Sequence, residues 1–272
     1  MRIVSRFRTM AMVAAVLSAT IGIAAAQEIK AAGTGTALEM LRQVGAAFSA
    51  MSGVKVQVLP SLGSSGAIGA LKDGVIDLAV SARPLKAEEE AAGLKQVAVM
   101  RTAFVLVSSQ ARPDPLRAAD LSELFTRNAP MWTDGTPVRI ILRPRSESDT
   151  TIMGAMSAGM PMAIETLRAR SEVPLAATDQ HNADMAERMP GSLTGTTMAQ
   201  LKAEKRDLRI VPLDSVAPTL ANVESGAYPF VKKLHFILRA NGSPEVARFM
   251  DFLRSPQGEK ALRNLETVTW IE

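Results

Sequence analysis

Small hydroxyl and glycine residues gather at three turns, each following a predicted strand and preceding a predicted helix. The first turn is residues 33–36 (Gly-Thr-Gly-Thr), the second is residues 63–66 (Gly-Ser-Ser-Gly), and the third is residues 146–150 (Ser-Glu-Ser-Asp-Thr). The start of a helix offers unpaired backbone N–H groups and a partial positive charge. Hydroxyl groups add donors, and glycine lets a ligand approach the backbone closely. The chemistry that this pattern favours is the binding of an anion.

Ser and Thr also cap helices that bind nothing, so any one of these turns is more often an ordinary cap than a site. The combination carries the argument, because Arg143 and Arg145 lie just before the third turn and would add positive charge. The first turn lacks the third glycine of a dinucleotide-binding loop, and the chain has no Gly-Lys-Ser or Gly-Lys-Thr for a P-loop. The turns therefore favour a small anion.

Apolar periodicity predicts the elements that must position these turns. We expect strands at residues 29–31, 54–59, 75–80, 95–109, 138–142, 208–211 and 230–239, and helices at 37–52, 67–72, 119–127, 150–170 with a break near Pro161, 244–254 and 258–264. This alternation predicts an α/β fold in which most neighbouring strands are parallel. Ligands of such sheets bind beyond the carboxyl ends of strands, which is where the three turns lie.

Composition excludes several kinds of site. The 272 residues are 47% apolar and 21% charged, which suffices for one large domain or two lobes with their own cores. The absence of Cys excludes thiolate metal sites and Cys nucleophiles, and two His disfavour a multi-histidine centre. The net charge of +4 includes three Arg in the first eight residues, so the remaining charge gives no reason to expect a nucleic-acid partner. We expect no metal, no cofactor and a monomer.

The first 26 residues have the pattern of an export signal. Arg2, Arg6 and Arg8 precede an apolar run that ends in three alanines at residues 24–26. The cleaner part of this run is shorter than the ~20 residues of a membrane-spanning helix, which favours cleavage after Ala26 over a membrane anchor. We therefore expect a mature protein, from Gln27 onward, in the periplasm.

The order and spacing of the three turns, together with residues 77–85, 121–125 and 225–230, resemble the periplasmic phosphate-binding proteins of ABC importers, a PstS-like family of substrate-binding proteins. The resemblance covers essentially the whole mature chain. It implies a two-lobed α/β fold of the type II periplasmic-binding-protein class, with the ligand cleft between the lobes. The expected division is lobe 1 at residues 27–103, lobe 2 at 104–233 and a return to lobe 1 at 234–272.

The same resemblance implies that the protein captures a tetrahedral oxyanion, inorganic phosphate first, and delivers it to an ABC permease without catalysis. Closure of the lobes would complete a cage around the dehydrated anion. The family's anion contacts would fall on Thr34, Gly35, Thr36, Ser64, Ser148, Asp149 and Thr150, with Ser65 and Ser81 as further candidates. One arginine would complete the cage, and the sequence leaves Arg143 and Arg145 as alternatives.

Two features depart from the family pattern. Ala82 stands where the family often has an Asp that accepts a proton from hydrogenphosphate, a role that Ser81 would only partly fill. The third turn differs from the usual Gly-Ser-Gly-Thr and brings the negative charge of Asp149 near the anion. Two other hypotheses therefore stay open, namely an exported enzyme acting on a phosphoester and a sensor or interaction protein of the same fold with altered ligand binding.

Other residues have ordinary structural explanations. His181 is expected in a surface loop and His235 as a partly buried residue of a strand, and neither forms a recognisable triad with a serine. Four methionines, at positions 153, 156, 160 and 162, have helical spacing that predicts packing in the core rather than binding of a soft metal.

Overall fold

A computed structural model describes residues 28–271, and it describes side chains for residues 28–267. The strands are β1 (Glu28–Gly33), β2 (Lys55–Val58), β3 (Leu78–Ser81), β4 (Leu94–Ser108), β5 (Arg139–Ile140), β6 (Ser192–Thr197), β7 (Arg209–Ile210), β8 (Val231–Arg239) and β9 (Val268–Ile271). The helices are α1 (Gly35–Ser52), α2 (Gly63–Lys72), α3 (Ala87–Ala91), α4 (Leu121–Thr126), α5 (Ser148–Gly154), α6 (Met160–Arg168), α7 (Asp179–Arg188), α8 (Met198–Glu204), α9 (Leu220–Ser225), α10 (Pro244–Arg254) and α11 (Pro256–Asn264). The predicted export signal lies outside the described residues.

The strands form one mixed sheet in the order β2-β1-β3-β8-β4-β6-β5, with β7 and β9 also paired to β4. Only the β1–β2, β1–β3 and β5–β6 pairs are parallel among the strands that the structure describes. The expectation of mostly parallel neighbours is therefore wrong. The reason is that β4 carries the chain out of one lobe and β8 carries it back, so these two long neighbours run in opposite directions.

Apolar side chains collect in cores on either side of this crossing. Phe48, Phe236 and Phe249 belong to a core that packs around α1 and α10. Phe125 and Trp132 belong to another, built around α4, α5 and α6. The strand β4 contributes to both, because Ala98 and Met100 enter the first core and Phe104 and Leu106 enter the second. The chain thus folds into two lobes joined by β4 and β8, and the residue boundaries given above stay a prediction.

Several elements escape the periodicity argument. The strand β6 has the sequence Ser-Leu-Thr-Gly-Thr-Thr and is buried throughout, so polar residues stand where alternation would require apolar ones. Its hydroxyls are satisfied internally, as when Thr194 donates to the backbone oxygen of Ile141 at 3.0 Å. The helices α7, α8 and α9 were not predicted either. His181 lies inside α7, so its assignment to a loop is wrong: Thr178 caps this polar helix by accepting from the His181 N–H at 3.1 Å.

The methionine prediction holds for three of the four positions. Met153, Met156 and Met160 are buried in the second core. Met162 is 74% exposed, so its placement in the core is wrong. The reason is the break that Pro161 introduces: α6 begins anew at Met160, and its buried face then runs through Ala163, Ile164 and Leu167.

Candidate functional site

The first turn is buried at the start of α1, and a carboxylate of α7 already occupies it. The backbone N–H of Thr36 donates to Asp179 Oδ2 at 3.1 Å, and the Thr34 hydroxyl donates to the same oxygen at 3.4 Å. Gly35 leaves no room beside these contacts, because a Cβ there would lie 2.6 Å from the side-chain oxygen of Gln180. The donors predicted to hold an anion are therefore engaged by the chain itself.

Asp179 belongs to a buried cluster of four charged side chains. Its Oδ1 lies 3.4 Å from Lys232 Nζ and 3.6 Å from Arg143 Nη2. Asp149 completes the cluster, with Oδ1 at 2.5 Å from Lys232 Nζ and Oδ2 at 3.4 Å from Arg143 Nε. All four side chains are at most 5% exposed. Two cations and two carboxylates face one another, so the positive charge of Arg143 and Lys232 is already compensated.

Burial and pairing act against each other on the pKa values of this cluster. Burial would raise the pKa of Asp179, but Lys232, Arg143 and the Thr36 N–H outweigh it and hold the pKa below its ordinary value. Burial would lower the pKa of Lys232, but the two carboxylates outweigh it and raise the pKa. For Asp149 burial prevails and raises the pKa, although Lys232 is in direct contact. Asp179 is thus the carboxylate most firmly held in its charged form.

The two candidate arginines have different surroundings. Arg143 lies in the buried cluster, donates to the backbone oxygen of Ala176 at 2.6 Å and has Glu147 Oε2 at 3.3 Å from Nη2. Arg145 has a side chain that is 69% exposed and pairs with Glu165 on the surface. Of the two, only Arg143 is brought near the turns, and it reaches them as part of a compensated network.

The second turn forms the first turn of α2, a helix of 10 residues whose start has no side-chain cap. The Ser64 hydroxyl oxygen accepts from the backbone N–H of Ala82 at 2.9 Å. The Ser65 hydroxyl accepts from Arg83 Nη2 at 3.2 Å, while the same guanidinium pairs with Glu89 at 2.7 Å. These contacts fix both hydroxyls at the wall of a cleft, where each keeps its own hydrogen for donation.

The second and third turns line one cleft of about 540 Å³. Its wall consists of Leu62, Gly63, Ser64, Ser65, Gly66, Ala82, Arg83, Pro84, Ser146, Glu147, Ser148, Thr151, Ile152, Val231, Lys233 and His235. Within the part of the chain that the structure describes, the Ser148 hydroxyl oxygen is buried without a hydrogen-bond partner. A buried, unpaired hydroxyl is costly, so this oxygen marks a place where a ligand atom would be favourable.

The remaining predicted ligands turn away from this cleft. The Ser81 hydroxyl donates to the backbone oxygen of Arg83 at 2.7 Å, which fixes the turn after β3. The Thr150 hydroxyl donates to the backbone oxygen of Pro144 at 2.9 Å and closes the third turn on itself. Ala82 does line the cleft, so at its position the wall presents a methyl group.

Charges on the cleft wall are few. Arg83 is paired with Glu89, and the hydrogen bond from Arg83 lowers the pKa of Glu89 to about 2. Burial raises the pKa of Glu147. Burial also lowers the pKa of His235 to about 4, with a smaller contribution from nearby Lys233, so the imidazole is neutral at pH 7. Besides the Arg83–Glu89 pair, the cleft wall thus carries neutral donors, the carboxyl group of Glu147 and one exposed lysine, Lys233.

A wider groove, of about 760 Å³, lies between α1 and the end of α8 and is separate from the second and third turns. Two of its arginines pair with nearby carboxylates, Arg42 with Glu39 at 3.1 Å and Arg206 with Glu204 at 2.6 Å.

Sequence reasoning missed Asp179 and Lys232, although one of them left a signal. The apolar residues Leu234 and Phe236 mark one face of β8 as buried, and strand alternation puts Lys232 on that same face. A lysine predicted to be buried needs acidic partners. Asp179 left no such signal, because its contact with Thr36 joins residues 143 positions apart in the chain.

Comparison with known families agrees with this architecture. The family model for the PBP superfamily domain matches residues 18–257. The chain belongs to the PBP superfamily. No curated protein matches the chain.

Solved structures share this PBP fold over nearly their whole length. A protein from Clostridium perfringens, solved with bound phosphate and assigned as the substrate-binding protein of a phosphate ABC transporter, is 16% identical with a TM-score of 0.72, covering 89% of this chain and 99% of that chain. An ABC-type phosphate transport receptor from Vibrio cholerae is 15% identical with a TM-score of 0.62, over 89% and 99% of the two chains.

A periplasmic molybdate-binding protein from Azotobacter vinelandii is 12% identical with a TM-score of 0.59, again over 89% and 99% of the two chains. At such identities the likeness establishes the fold. The predicted two-lobed, type II PBP fold is confirmed. Among the described residues, no helix is both long enough and apolar enough to cross a bilayer.

Proposed function

We propose that this PBP-superfamily protein is the exported, periplasmic substrate-binding protein of an ABC importer and that it captures a small tetrahedral oxyanion, with the phosphate group as the first candidate. The observation that carries the proposal is the convergence of the second and third turns on one cleft between the lobes. Structural neighbours that hold phosphate or bind molybdate support the same class of ligand.

The anion would be held mainly by neutral donors. The start of α2 contributes backbone N–H groups, and Ser64 and Ser65 contribute hydroxyls on the same wall. Ser148, whose hydroxyl oxygen has no hydrogen-bond partner among the described residues, lines the same cleft from the third turn. In this scheme Asp179 takes the place of an anion at the first turn. Thr34, Gly35 and Thr36, which were predicted to contact the ligand, would then not contact it. Closure of the lobes would then exclude water, and the permease would recognise the closed form.

A second candidate has its own supporting observation. The first turn is filled by Asp179 and the positive charge of Arg143 is compensated within the buried cluster. A protein that kept the fold but lost oxyanion binding, and that served as a sensor or an interaction partner, would have this arrangement.

Titration calorimetry of the purified protein with phosphate, sulfate, molybdate and methyl phosphate separates the candidates. Binding of at least one of these anions without turnover of methyl phosphate supports the importer role. Release of phosphate from methyl phosphate would indicate an enzyme. No heat with any of the four would indicate the sensor or interaction role.

A matched pair of variants ties binding to the cleft. Ser148→Ala is expected to weaken oxyanion binding by about two- to tenfold, the range of one hydrogen bond. Ser171→Ala removes an exposed serine outside the cleft and is expected to leave the affinity unchanged. Equal affinities of the two variants would contradict the assignment of Ser148.

A further inference from the structure

The cleft is larger than a free oxyanion requires. Its volume is about 540 Å³. A tetrahedral oxyanion has five heavy atoms and, at the ~30 Å³ that one water molecule occupies in the liquid, would fill no more than about 150 Å³. The cleft that offers this remaining volume is lined in part by Ala82, Ile152 and Val231, which are apolar and partly exposed. Before the lobes close, the cleft therefore has room for an organic group attached to the anion.

The strand β8 places three side chains in a row along the wall of the cleft, and we call this row the strip. Val231, Lys233 and His235 alternate along β8 and all three line the cleft, so they share one face of the strand. An apolar side chain, a cation and a neutral imidazole thus follow one another. Such a strip suits a short substituent that has both a hydrocarbon part and a polar end.

Lys233 determines which polar end fits. Within the described residues it has no carboxylate in ion-pair distance, unlike Arg83, which is held by Glu89 at 2.7 Å. The other cations of the region, Arg143 and Lys232, are compensated by Asp149 and Asp179. Lys233 is therefore the cation on the cleft wall that is available to a ligand, and it would pair with an anionic group such as a carboxylate that lies beyond the bound oxyanion.

We propose that the ligand is a small phosphomonoester that carries a carboxylate, with its phosphate group between Ser64, Ser65 and Ser148 and its carboxylate on Lys233. This inference rests on the proposed oxyanion-binding function and narrows it to a substrate class. Lys233 is the residue that sets the preference for the substituent.

Calorimetry with three probes of graded charge tests the substrate class. Inorganic phosphate lacks a substituent, phosphoglycolate adds a carboxylate, and phosphoethanolamine adds an ammonium group. We expect phosphoglycolate to bind about tenfold more tightly than inorganic phosphate, a difference of about 1.4 kcal/mol. We expect phosphoethanolamine to bind more weakly than phosphoglycolate by at least the same factor, because its cation meets Lys233.

Variants of two lysines test whether Lys233 sets the preference for a carboxylate on the ligand. Lys233→Gln is expected to bring the ratio of the phosphoglycolate and phosphoethanolamine affinities close to one. Lys260→Gln, an exposed substitution on α11 outside the cleft, is expected to keep the ratio of the unaltered protein.

The outcomes separate this inference from the function on which it rests. Binding of phosphate with no preference for phosphoglycolate, or a preference that survives Lys233→Gln, overturns the inference and leaves oxyanion capture standing. Absence of binding for phosphate, sulfate, molybdate and every phosphomonoester overturns both.

Discussion

Replacing Asp179 by alanine tests whether a carboxylate of the chain has taken the place of a ligand at the start of α1. The substitution removes the acceptor of the Thr36 N–H at 3.1 Å and of the Thr34 hydroxyl at 3.4 Å. It also removes the partner of Lys232 at 3.4 Å and of Arg143 at 3.6 Å. Two buried cations would then share the single carboxylate of Asp149.

The expected loss of stability is large because the partners are buried. Breaking a buried ion pair by removing one member costs about 3–5 kcal/mol. For a chain of this size, each kcal/mol corresponds to about 2–4 °C in Tm, so the variant should melt about 6–20 °C lower. Asp207→Ala is the matched control, because Asp207 has a side chain that is 85% exposed, and its loss should change stability by less than about 0.5 kcal/mol.

Formate provides a sharper readout than stability alone. The substitution deletes only a carboxylate group, and formate is that group as a free ion. At ten times its dissociation constant, formate that binds the folded variant should restore about 1.4 kcal/mol. Urea unfolding in sodium formate is compared with unfolding in sodium chloride at equal ionic strength, for Asp179→Ala and for Asp207→Ala.

A loss of stability below about 1 kcal/mol in Asp179→Ala would refute the reasoning, since removal of a buried carboxylate leaves the two buried cations without one of their partners. Formate that stabilises both variants equally would show a general salt effect and no vacant carboxylate site.

Three further predictions concern the buried cluster and two titratable groups of the cleft wall. Lys232→Met should lower the free energy of unfolding in urea by about 3–5 kcal/mol, because it removes a buried cation from its carboxylates. Lys233→Met, one position along the same strand but exposed, should lower it by less than about 0.5 kcal/mol. Equal losses would contradict the buried cluster. Burial raises the pKa of Glu147, so its negative charge on the cleft wall grows as the pH rises through that raised pKa. The affinity for sulfate, measured by calorimetry, should therefore fall over the same pH range. Glu147→Gln should remove this pH dependence and bind sulfate more tightly than the unaltered protein at pH 8. Burial lowers the pKa of His235 from 6.5 to about 4, so on acidification the unfolded chain takes up a proton before the folded protein does. The free energy of unfolding should therefore fall by at most about 3 kcal/mol as the pH drops from 6.5 to 4. In urea unfolding at several pH values His235→Gln should show a smaller fall, and an identical fall would contradict a neutral buried imidazole.

Local patterns sufficed for elements with a clear apolar period. Residues 244–254 were predicted as a helix with the bounds that α10 has, because Pro at the first position and a regular apolar face define it. The second and third turns lie where strand-to-helix junctions were predicted, although α2 already begins at Gly63. The antiparallel pairing of β4 with β8 escaped, since periodicity identifies strands without fixing their neighbours.

The site could be predicted only in part. The three turns are visible in the local sequence, whereas whether a turn is free or filled by another side chain depends on distant parts of the chain. Small polar residues at 63–66 and 146–150 predicted an anion site, and the whole second turn and residues 146–148 of the third line one cleft. That the first turn is filled depends on α7, a helix too polar to be recognised from apolar spacing, and on a contact between distant parts of the chain. Arg143 could be separated from Arg145 only by packing, since both lie within three residues of the turn in sequence and Arg145 is the nearer.

Anomalous diffraction from crystals soaked in tungstate, a heavy tetrahedral oxyanion, locates the bound ion directly. We predict a peak in the cleft for a tungstate ion whose oxygens lie within hydrogen-bond distance of Ser64 or Ser65 and of Ser148, with Asp179 still accepting from the Thr36 N–H. A peak at the start of α1 with Asp179 displaced, or a cleft without a peak at saturating tungstate, would contradict the account.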